Sequence, residues 1–435
     1  MNIWIDPCAN LKGRLRAQPS KNYTTRYLLA SALARGESVV HRPAKSDDAL
    51  ALTDCLISLG AQIRQQGDLC IVKGFGNTPR NPGILNPRNA GAVLRLLLGV
   101  ASLLPEVKFI TDFPESLGKR PNQDLLDSLS QLGVKYESRE GRLPITIRGG
   151  SLHGGRIQVS GAKSSQFLSS LLFLAPLIGE DVEIGVVEGL KSKPLIGATL
   201  EVMRAAGVIV QASPDLMHFR ISGGQEYQPG EYKVNGDWPG SAALLSAAAV
   251  CPSSDIEIEG LFDDEQGEKA IVDVLRSMGA DISYDGYRVR IRGGKALHGV
   301  EFDGDRATDA VLAMVGASCL AEGTSRFYNV ENLRLKECDR ISEPLIELKR
   351  LGVRCEERKD EIIIQGDPKG YAGGIEVNGR GDHRVIMLLT ILGLRSEKGL
   401  TITGAQNIAK SYPDFFRHIE ILGARINKIE EQDNT

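Results

Sequence analysis

The segment "NLRLKECDRI", which begins at Asn332, places two arginines, a lysine, a glutamate and an aspartate within ten residues. Such a run of charges is usually a solvated helix face. The alternative is that several of these charges converge on one ligand. The segment alone leaves both interpretations open.

Four further segments place polar residues directly before apolar helical patterns. Helix capping, or an exposed surface lysine in the case of Lys410, explains each of them singly. Two serines and a glutamine together, however, exceed what a cap needs. Hydroxyl groups beside the free N–H groups of a helix start suit a phosphate or a polyol. The residues are Lys21 and Arg26 in "QPSKNYTTR", Ser164, Ser165 and Gln166 in "SGAKSSQFL", Asp382, His383 and Arg384 in "DHRVIMLL", and Lys410 in "AKSYPDFF".

A sixfold repeat predicts the elements that position these residues. Strings such as "CLISLGAQI" and "VLRSMGADI" place glycines that are successively 73, 74, 72, 73 and 71 residues apart. Each glycine follows an apolar pattern of helical spacing, which predicts a left-handed helix C-cap. The glycines are Gly60, Gly133, Gly207, Gly279, Gly352 and Gly423.

Two alternating strands follow each glycine, as in "ADISYDGYRVRIRGG", where Asp285 and Gly286 predict a tight hairpin. A second helix completes each unit. It begins with polar or small residues and continues apolar on nearly every side, which is typical of a helix buried inside a domain. We expect the polar starts of these helices to face a cleft, where their N–H groups attract anions.

The sixth unit has only one strand, whereas the chain begins with the unassigned strand pattern "NIWID". We therefore expect the N-terminus to complete the last unit. Three units form each domain: residues 1–18 with 236–435, and residues 19–235. The active site is expected in the cleft between them.

Composition restricts the class of protein. With 42% hydrophobic residues, 25% charged residues and a net charge of -3, the chain has no global basic field for nucleic acid. The apolar stretches are too short to span a bilayer. Seven scattered cysteines without a CxxC pair indicate reduced thiols and a cytoplasmic location, and no spacing with histidine predicts a metal site.

The order and spacing of eight motifs resemble the 5-enolpyruvylshikimate-3-phosphate synthase family over essentially the whole chain. The motifs are "PSKNYTTR", "NAGAVLR", "GKRP", "SSQF", "KSKP", "LRLKECDR", "GDHR" and "AKSYPDFF". The resemblance implies an α/β fold of two domains, each with three βαβαββ units in an inside-out α/β barrel arrangement. It also implies a monomeric enzyme of the shikimate pathway, which leads to chorismate and aromatic amino acids, without metal or organic cofactor.

The resemblance further implies two small-molecule substrates, shikimate 3-phosphate and phosphoenolpyruvate, with glyphosate as a competitive inhibitor. The residues expected around shikimate 3-phosphate are Lys21, Asn22, Arg26, Ser164, Ser165, Gln166, Ser192, Asp309, Asn332 and Lys336. Those expected around phosphoenolpyruvate are Lys21, Asn89, Gly91, Arg120, Gln166, Arg340, Arg384 and Lys410.

The implied reaction is an addition followed by an elimination, for which Asp309 is the candidate base and Glu337 the candidate proton donor. Lys21 is expected to share in proton transfer and to stabilise the departing phosphate. Which carboxyl group is acid and which is base stays open from sequence.

The chain departs from the family pattern at several positions. Asn22 stands where serine is common, and Leu195 where a tyrosine hydroxyl is common, so shikimate 3-phosphate binding is expected to depend more on Arg26 and Ser192. Ala92 and Leu96 replace the usual threonine and proline after Gly91. These last two changes predict better tolerance of glyphosate.

Two other functions remain possible from sequence. The sister enzyme that transfers enolpyruvate to UDP-N-acetylglucosamine typically carries a cysteine shortly before its Arg-Pro pair, but "TDFPESLGKRP" has none. A non-catalytic scaffold that binds a phosphorylated metabolite needs no proton-transfer groups. The presence of Lys21, Asp309 and Glu337 together argues against it.

Overall fold

The computed structural model describes residues 1–429. Within them the α-helices are α1 Lys21–Leu33, α2 Asp47–Ser58, α3 Gly91–Ala101, α4 Gln123–Ser130, α5 Ser165–Leu174, α6 Lys193–Ala205, α7 Trp238–Val250, α8 Ile271–Ser277, α9 Val311–Ser318, α10 Ser342–Arg350, α11 His383–Arg395 and α12 Phe415–Ile421. None of these helices combines the length and the apolar character needed to cross a membrane.

The strands are short and alternate with the helices along the chain. They are β1 Asn2–Ile5, β2 Lys12–Arg16, β3 Glu37–His41, β4 Gln62–Gln66, β5 Leu69–Lys73, β6 Ile84–Leu85, β7 Val107–Phe109, β8 Lys135–Arg139, β9 Arg142–Arg148, β10 Gly155–Gly161, β11 Val182–Leu190, β12 Gln211–Ala212, β13 His218–Ile221, β14 Glu231–Lys233, β15 Asp255–Glu259, β16 Asp281–Tyr284, β17 Arg288–Arg292, β18 Glu301–Asp303, β19 Gly323–Tyr328, β20 Arg354–Arg358, β21 Glu361–Gly366, β22 Glu376–Asn378, β23 Leu400–Thr403 and β24 Ile426–Ile429.

The described strands form six four-stranded sheets of one topology. Each sheet pairs two strands in parallel and then adds two antiparallel strands, as in the order β10-β11-β13-β12. The predicted hairpin at Asp285 is confirmed: its Oδ1 atom accepts hydrogen bonds from the N–H groups of Tyr287 and Arg288, and Gly286 has a φ of 90°. This repeated sheet confirms the predicted α/β fold of six units.

The N-terminal strand completes the last repeat. β1 lies between β23 and β24 and is antiparallel to both. β2 pairs in parallel with β15 and completes the sheet of the fourth repeat. Each of these sheets therefore joins segments that are far apart in the chain.

The chain divides into two compact units. The inner unit is Pro19–Val234, and the terminal unit combines Met1–Gln18 with the chain from Asn235 onward. Asn235, which the sequence analysis assigned to the inner unit, belongs to the terminal unit, where its side-chain amide donates to Asp264 Oδ2 at 3.0 Å. Each unit has its own buried apolar core.

The two helices of each repeat have different environments. The helices that precede the six repeat glycines are α2, α4, α6, α8, α10 and α12, and all six glycines have φ between 78° and 109°, as a left-handed C-cap requires. The other helices are buried on nearly all sides; in α7 all 13 residues are buried. The candidate site residues lie at the starts of these buried helices or in the loops that lead to even-numbered helices.

Candidate active site

In the inner unit, the start of α1 holds a buried ion pair. Lys21 Nζ lies 2.9 Å from Asp48 Oδ2, and only 13% and 5% of the two side chains are exposed. Asp48 belongs to the first turn of α2, where a carboxylate is favoured by the helix dipole. The pair therefore fixes the ammonium group of Lys21 beside the N-terminus of α1.

Arg26, one turn further along α1, is buried among neutral acceptors. Its guanidinium donates to Thr199 Oγ1 at 2.9 Å and to the backbone carbonyls of Asn22 and Leu195 at 2.9 and 3.2 Å. Burial lowers the pKa of Arg26 to about 10. A buried cation held by neutral groups favours an anionic ligand, because such a ligand restores the stabilisation that burial removed.

Arg95 on α3 was not predicted as a site residue, although it ends the motif "NAGAVLR". Its Nη1 atom donates to Gln166 Oε1 at 2.8 Å and to Ser164 Oγ at 3.4 Å, and its Nε atom donates to Asn122 Oδ1 at 3.2 Å. The guanidinium also lies over the ring of Phe167. Arg95 therefore positions the start of α5, and a charged residue inside an otherwise apolar buried helix is the signal that could have identified it.

Gly91, the first residue of α3, lies directly against Arg120. A Cβ atom added at Gly91 would come 2.5 Å from Arg120 Nη1. Ala90 supplies no side-chain cap to α3, so the first N–H groups of this helix are not satisfied by capping. Glycine thus brings a helix N-terminus and a buried guanidinium together, and both attract anions.

The remaining predicted residues of the inner unit lie near three helix starts. Ser164 accepts a hydrogen bond from the N–H of Gln166 at 3.3 Å and caps α5. Ser192 precedes α6 in a left-handed conformation, with φ 53°. Asn22 and Ser165 are buried in the first turns of α1 and α5, and Asn89 lies two residues before α3.

The terminal unit contains a buried cluster around Arg340, which is 2% exposed. Arg340 donates through Nε and Nη2 to Asp382 at 2.7 and 3.2 Å, through Nη1 to Asp309 at 3.0 Å and through Nη2 to Glu337 at 2.7 Å. Burial lowers the pKa of Arg340, but the three carboxylates outweigh burial and raise it well above its ordinary value. This cation therefore stays charged and ties three segments together.

Two more cations border the cluster. Lys410 Nζ lies 3.6 Å from Glu337 Oε1, with both side chains almost fully buried. Arg384 follows Asp382, which caps α11 by accepting from the backbone N–H of Arg384 at 2.8 Å. The guanidinium of Arg384 is 4% exposed and donates to Met387 Sδ at 3.6 Å. A thioether is a weak acceptor, so Arg384 retains strong donor capacity for an anion.

The segment "NLRLKECDRI" divides into two functions. Arg334 donates to Asp339 at 2.8 Å and to backbone carbonyls of the β20–β21 hairpin. Asp339 accepts from the N–H groups of Ile341 and Ser342 at the start of α10. These two residues are structural, whereas Glu337 and Arg340 belong to the buried cluster; Asn332 is buried and Lys336 is partly buried in the same loop.

Among residues 1–429, no group of three or more His, Cys, Asp or Glu side chains is arranged to hold a metal ion. The two buried sets instead offer guanidinium and ammonium groups, helix N-termini, hydroxyl groups and paired carboxyls. Cations and helix N-termini bind phosphate and carboxylate groups, and buried carboxyls transfer protons. The arrangement fits chemistry on small polyanionic substrates.

Comparison with known proteins supports the same conclusion. The family described as EPSP synthase (3-phosphoshikimate 1-carboxyvinyltransferase) matches residues 5–419. A protein of Deinococcus radiodurans named 3-phosphoshikimate 1-carboxyvinyltransferase is 50% identical over 430 residues, covering 99% of this chain and 97% of that protein. One of the same name from Burkholderia pseudomallei is 39% identical, covering 98% and 95%.

Solved structures show a similar fold. EPSP synthase from Acinetobacter baumannii matches with a TM-score of 0.81 at 24% identity, covering 98% of this chain and 100% of that one. The enolpyruvyl transferase NikO from Streptomyces tendae matches with a TM-score of 0.80 at 18% identity, covering 98% of both chains. The fold is that of the enolpyruvyl transferases, and the chain belongs to the EPSP synthase family.

The cluster predicts a pH-dependent loss of stability when its cation is removed. Arg340→Met should lower the free energy of unfolding at neutral pH by about 3–5 kcal/mol, because buried carboxylates lose their shared partner. The deficit should shrink toward about pH 4, where protonated carboxyls no longer need a cation. Both tryptophans, Trp4 and Trp238, lie in the terminal unit, so their fluorescence in urea reports unfolding of that unit.

Arg358→Met is the matched control, because the ion pairs of Arg358 are exposed. Its effect should stay below about 1 kcal/mol. A loss for Arg340→Met that equals the control, or that does not change with pH, would contradict the proposed stabilisation.

Proposed function

We propose that this chain transfers the enolpyruvyl group of phosphoenolpyruvate to the 5-hydroxyl of shikimate 3-phosphate, giving 5-enolpyruvylshikimate 3-phosphate and phosphate. This step belongs to the shikimate pathway, which leads to chorismate and the aromatic amino acids. The observation that carries the proposal is the buried cluster of Arg340 with Asp309, Glu337 and Asp382, in a chain of the EPSP synthase family. The cluster supplies both a cation and proton-transfer groups.

For phosphoenolpyruvate, we assign the phosphate and carboxylate groups to buried cations and to the N-terminus of α3. The support is the burial of Arg120, Arg340, Arg384 and Lys410 together with the absence of a side-chain cap at Ala90. The full set of proposed ligands is Lys21, Asn89, Gly91, Arg120, Gln166, Arg340, Arg384 and Lys410.

For shikimate 3-phosphate, we assign the carboxylate to Arg26, whose neutral acceptors leave its charge uncompensated, and the phosphate to serine hydroxyls at helix starts. Leu195 contributes only a backbone carbonyl, which holds Arg26. The full set of proposed ligands is Lys21, Asn22, Arg26, Ser164, Ser165, Gln166, Ser192, Asp309, Asn332 and Lys336.

The reaction proceeds by addition and elimination. Asp309 accepts the proton of the 5-hydroxyl while the hydroxyl oxygen forms a bond to C2 of phosphoenolpyruvate. Glu337 donates a proton to C3. The tetrahedral intermediate then loses a proton from C3 and expels phosphate, which restores the carbon–carbon double bond. Lys21 stabilises the departing phosphate and shares in proton transfer.

The hydrogen bonds of Arg340 connect binding to this chemistry. Arg340 makes four hydrogen bonds to carboxylates, so an incoming substrate carboxylate competes with Asp309 and Glu337 for its donors. Asp382 keeps two of these bonds and holds the guanidinium in place. We propose that the carboxylate of phosphoenolpyruvate replaces Asp309 and Glu337 as hydrogen-bond acceptors of Arg340. The two side chains are then available for proton transfer.

We also propose that the protein is a cytoplasmic monomer. The cytoplasmic location is supported by the odd number of cysteines without a CxxC pair, which is typical of a reducing compartment. The monomeric state is what the resemblance of the motifs to the family implies. Sedimentation of the purified protein measures its oligomeric state directly.

Phosphate release tests the proposed reaction. The purified protein should release phosphate from phosphoenolpyruvate only when shikimate 3-phosphate is present, without added metal, and mass spectrometry should detect the enolpyruvyl product. UDP-N-acetylglucosamine is the control acceptor and should give no phosphate. Turnover with that acceptor, or no turnover with either, would overturn the proposal.

We propose that the protein tolerates glyphosate because of two features of α3: the position of its first residue and the residue type in its interior. Gly91 contacts Arg120 at the start of this helix, so a small displacement of the helix changes the space beside the guanidinium. Leu96 is buried inside α3 at 2% exposure, where a proline removes a helical hydrogen bond and crowds the preceding turn. Leucine at this position therefore gives the helix a different backbone constraint from the family's usual proline.

We expect glyphosate to inhibit competitively with phosphoenolpyruvate but weakly, and the double variant Ala92→Thr, Leu96→Pro to bind it more tightly. The measurement is the ratio of the glyphosate inhibition constant to the KM for phosphoenolpyruvate, with each single variant as a control and thermal unfolding as a check on α3. Tight inhibition of the unmodified enzyme together with an unchanged ratio in the double variant would refute the role of these residues.

A further inference from the structure

Glu268 is a buried carboxyl group that the reaction described above does not use. It lies in a short 3-10 helix, Gly267–Ala270, and is 4% exposed. Its Oε1 atom accepts a hydrogen bond from the backbone N–H of Asp309 at 3.2 Å. Its Oε2 atom is buried and has no hydrogen-bond partner within the described residues. Burying a carboxylate oxygen without a hydrogen-bond partner is costly, and protonation of the group reduces this cost.

The electrostatic environment of Glu268 favours its protonated form. Burial, followed by the neighbouring charge of Asp309, raises the pKa of Glu268 to about 7, and Arg384 opposes this increase. Two carboxyl groups that repel each other in this way do not ionise independently, because the charge of one increases the proton affinity of the other. The protonation of Glu268 is therefore linked to the charge of Asp309.

Other charged residues of the neighbouring elements are paired or exposed. Lys269 binds Asp263, and Arg276 binds Asp273 on the exposed side of α8. Arg340 binds Asp309 and so faces the same pair. The remaining charged residues on the segments around Glu268 are Asp237 before α7, Asp264 and Glu265 on its own segment, and Asp305 and Arg306 before Asp309.

We propose that Glu268 is a positioning residue for Asp309: its carboxyl group holds the Asp309 backbone, and in its ionised form it strengthens the proton affinity of Asp309. The proposal rests on the proposed function, in which Asp309 accepts the proton of the 5-hydroxyl. Glu268 does not touch the substrate. It acts through Asp309, by a hydrogen bond to the main chain and by like-charge repulsion.

Glu268→Gln separates these two effects, because the amide oxygen still accepts the Asp309 N–H but carries no charge. In assays with shikimate 3-phosphate and phosphoenolpyruvate, kcat should fall roughly 10-fold while the KM for shikimate 3-phosphate changes by less than about 3-fold. The pH profile of kcat/KM should lose an inflection near pH 7 that the ionisation of Glu268 gives the wild type, because glutamine does not titrate.

Two variants serve as controls. Glu268→Asp keeps a titrating carboxyl group and should retain this inflection. Glu265→Gln removes a charge from an exposed position of the same segment and should leave kcat and the pH profile unchanged. An active wild-type enzyme whose pH profile is not changed by Glu268→Gln overturns this inference but not the proposed function. An inactive wild type overturns the proposed function. In that case, the pH dependence of unfolding in urea tests the Glu268–Asp309 interaction independently of activity.

The stability test uses tryptophan fluorescence in urea. A carboxyl whose pKa is raised from 4.5 in the unfolded chain to about 7 in the folded state stabilises the fold below the lower value, and this stabilisation is lost as pH rises through the higher one. The urea midpoint of the wild type should therefore fall relative to that of Glu268→Gln between these pH values. This gap should shrink in an Asp309→Asn background; a gap that does not depend on pH in either background contradicts the interaction.

Discussion

The guanidinium of Arg340 and its three carboxylates form the interaction on which the terminal unit depends. Asp309, Glu337 and Asp382 come from three loops, and each precedes a different helix. A buried cation cannot lose these partners without a large cost, and the carboxylates cannot be buried together without the cation. The cluster therefore fixes the positions of a proposed base, a proposed acid and the N-terminus of α11 simultaneously.

The two units carry buried charge of different kinds. In the terminal unit, carboxylates surround Arg340, and Lys410 and Arg384 lie at their edge. In the inner unit, the guanidinium groups of Arg26 and Arg95 bond to hydroxyl, amide and carbonyl oxygens. The first environment contains the carboxyl groups that proton transfer needs, and both environments contain cations that bind anions. Enolpyruvyl transfer between two phosphorylated substrates needs both kinds of group.

The sequence predicts features that repeat locally. Six glycines at nearly constant spacing predicted six helix ends, and the incomplete last repeat predicted that β1 would join β23 and β24. Both follow from short-range rules, since a C-cap needs a left-handed residue and an incomplete sheet needs another strand. The nearly constant spacing of the repeat is therefore enough to predict the helices and strands without any knowledge of long-range contacts.

Contacts between distant residues could not be predicted in the same way. Lys21 binds Asp48 across 27 residues, Arg95 binds Gln166 across 71, and Glu268 binds Asp309 across 41. No local pattern of charge or hydrophobicity encodes such a pair, because its members meet only after the helices and sheets have packed. Asp48, Arg95 and Glu268 were accordingly absent from the predicted site, although two of their partners were in it as catalytic candidates.

The central claim is that Glu337 transfers a proton while neighbouring cations bind the substrates, and the variant Glu337→Gln tests it most directly. The measurement pairs kcat for phosphate release with the Kd for shikimate 3-phosphate, using Lys336→Ala as the comparison. We predict that Glu337→Gln lowers kcat at least about 100-fold with a Kd within about 3-fold of wild type, and that Lys336→Ala mainly weakens binding. A near-normal kcat for Glu337→Gln would contradict the account.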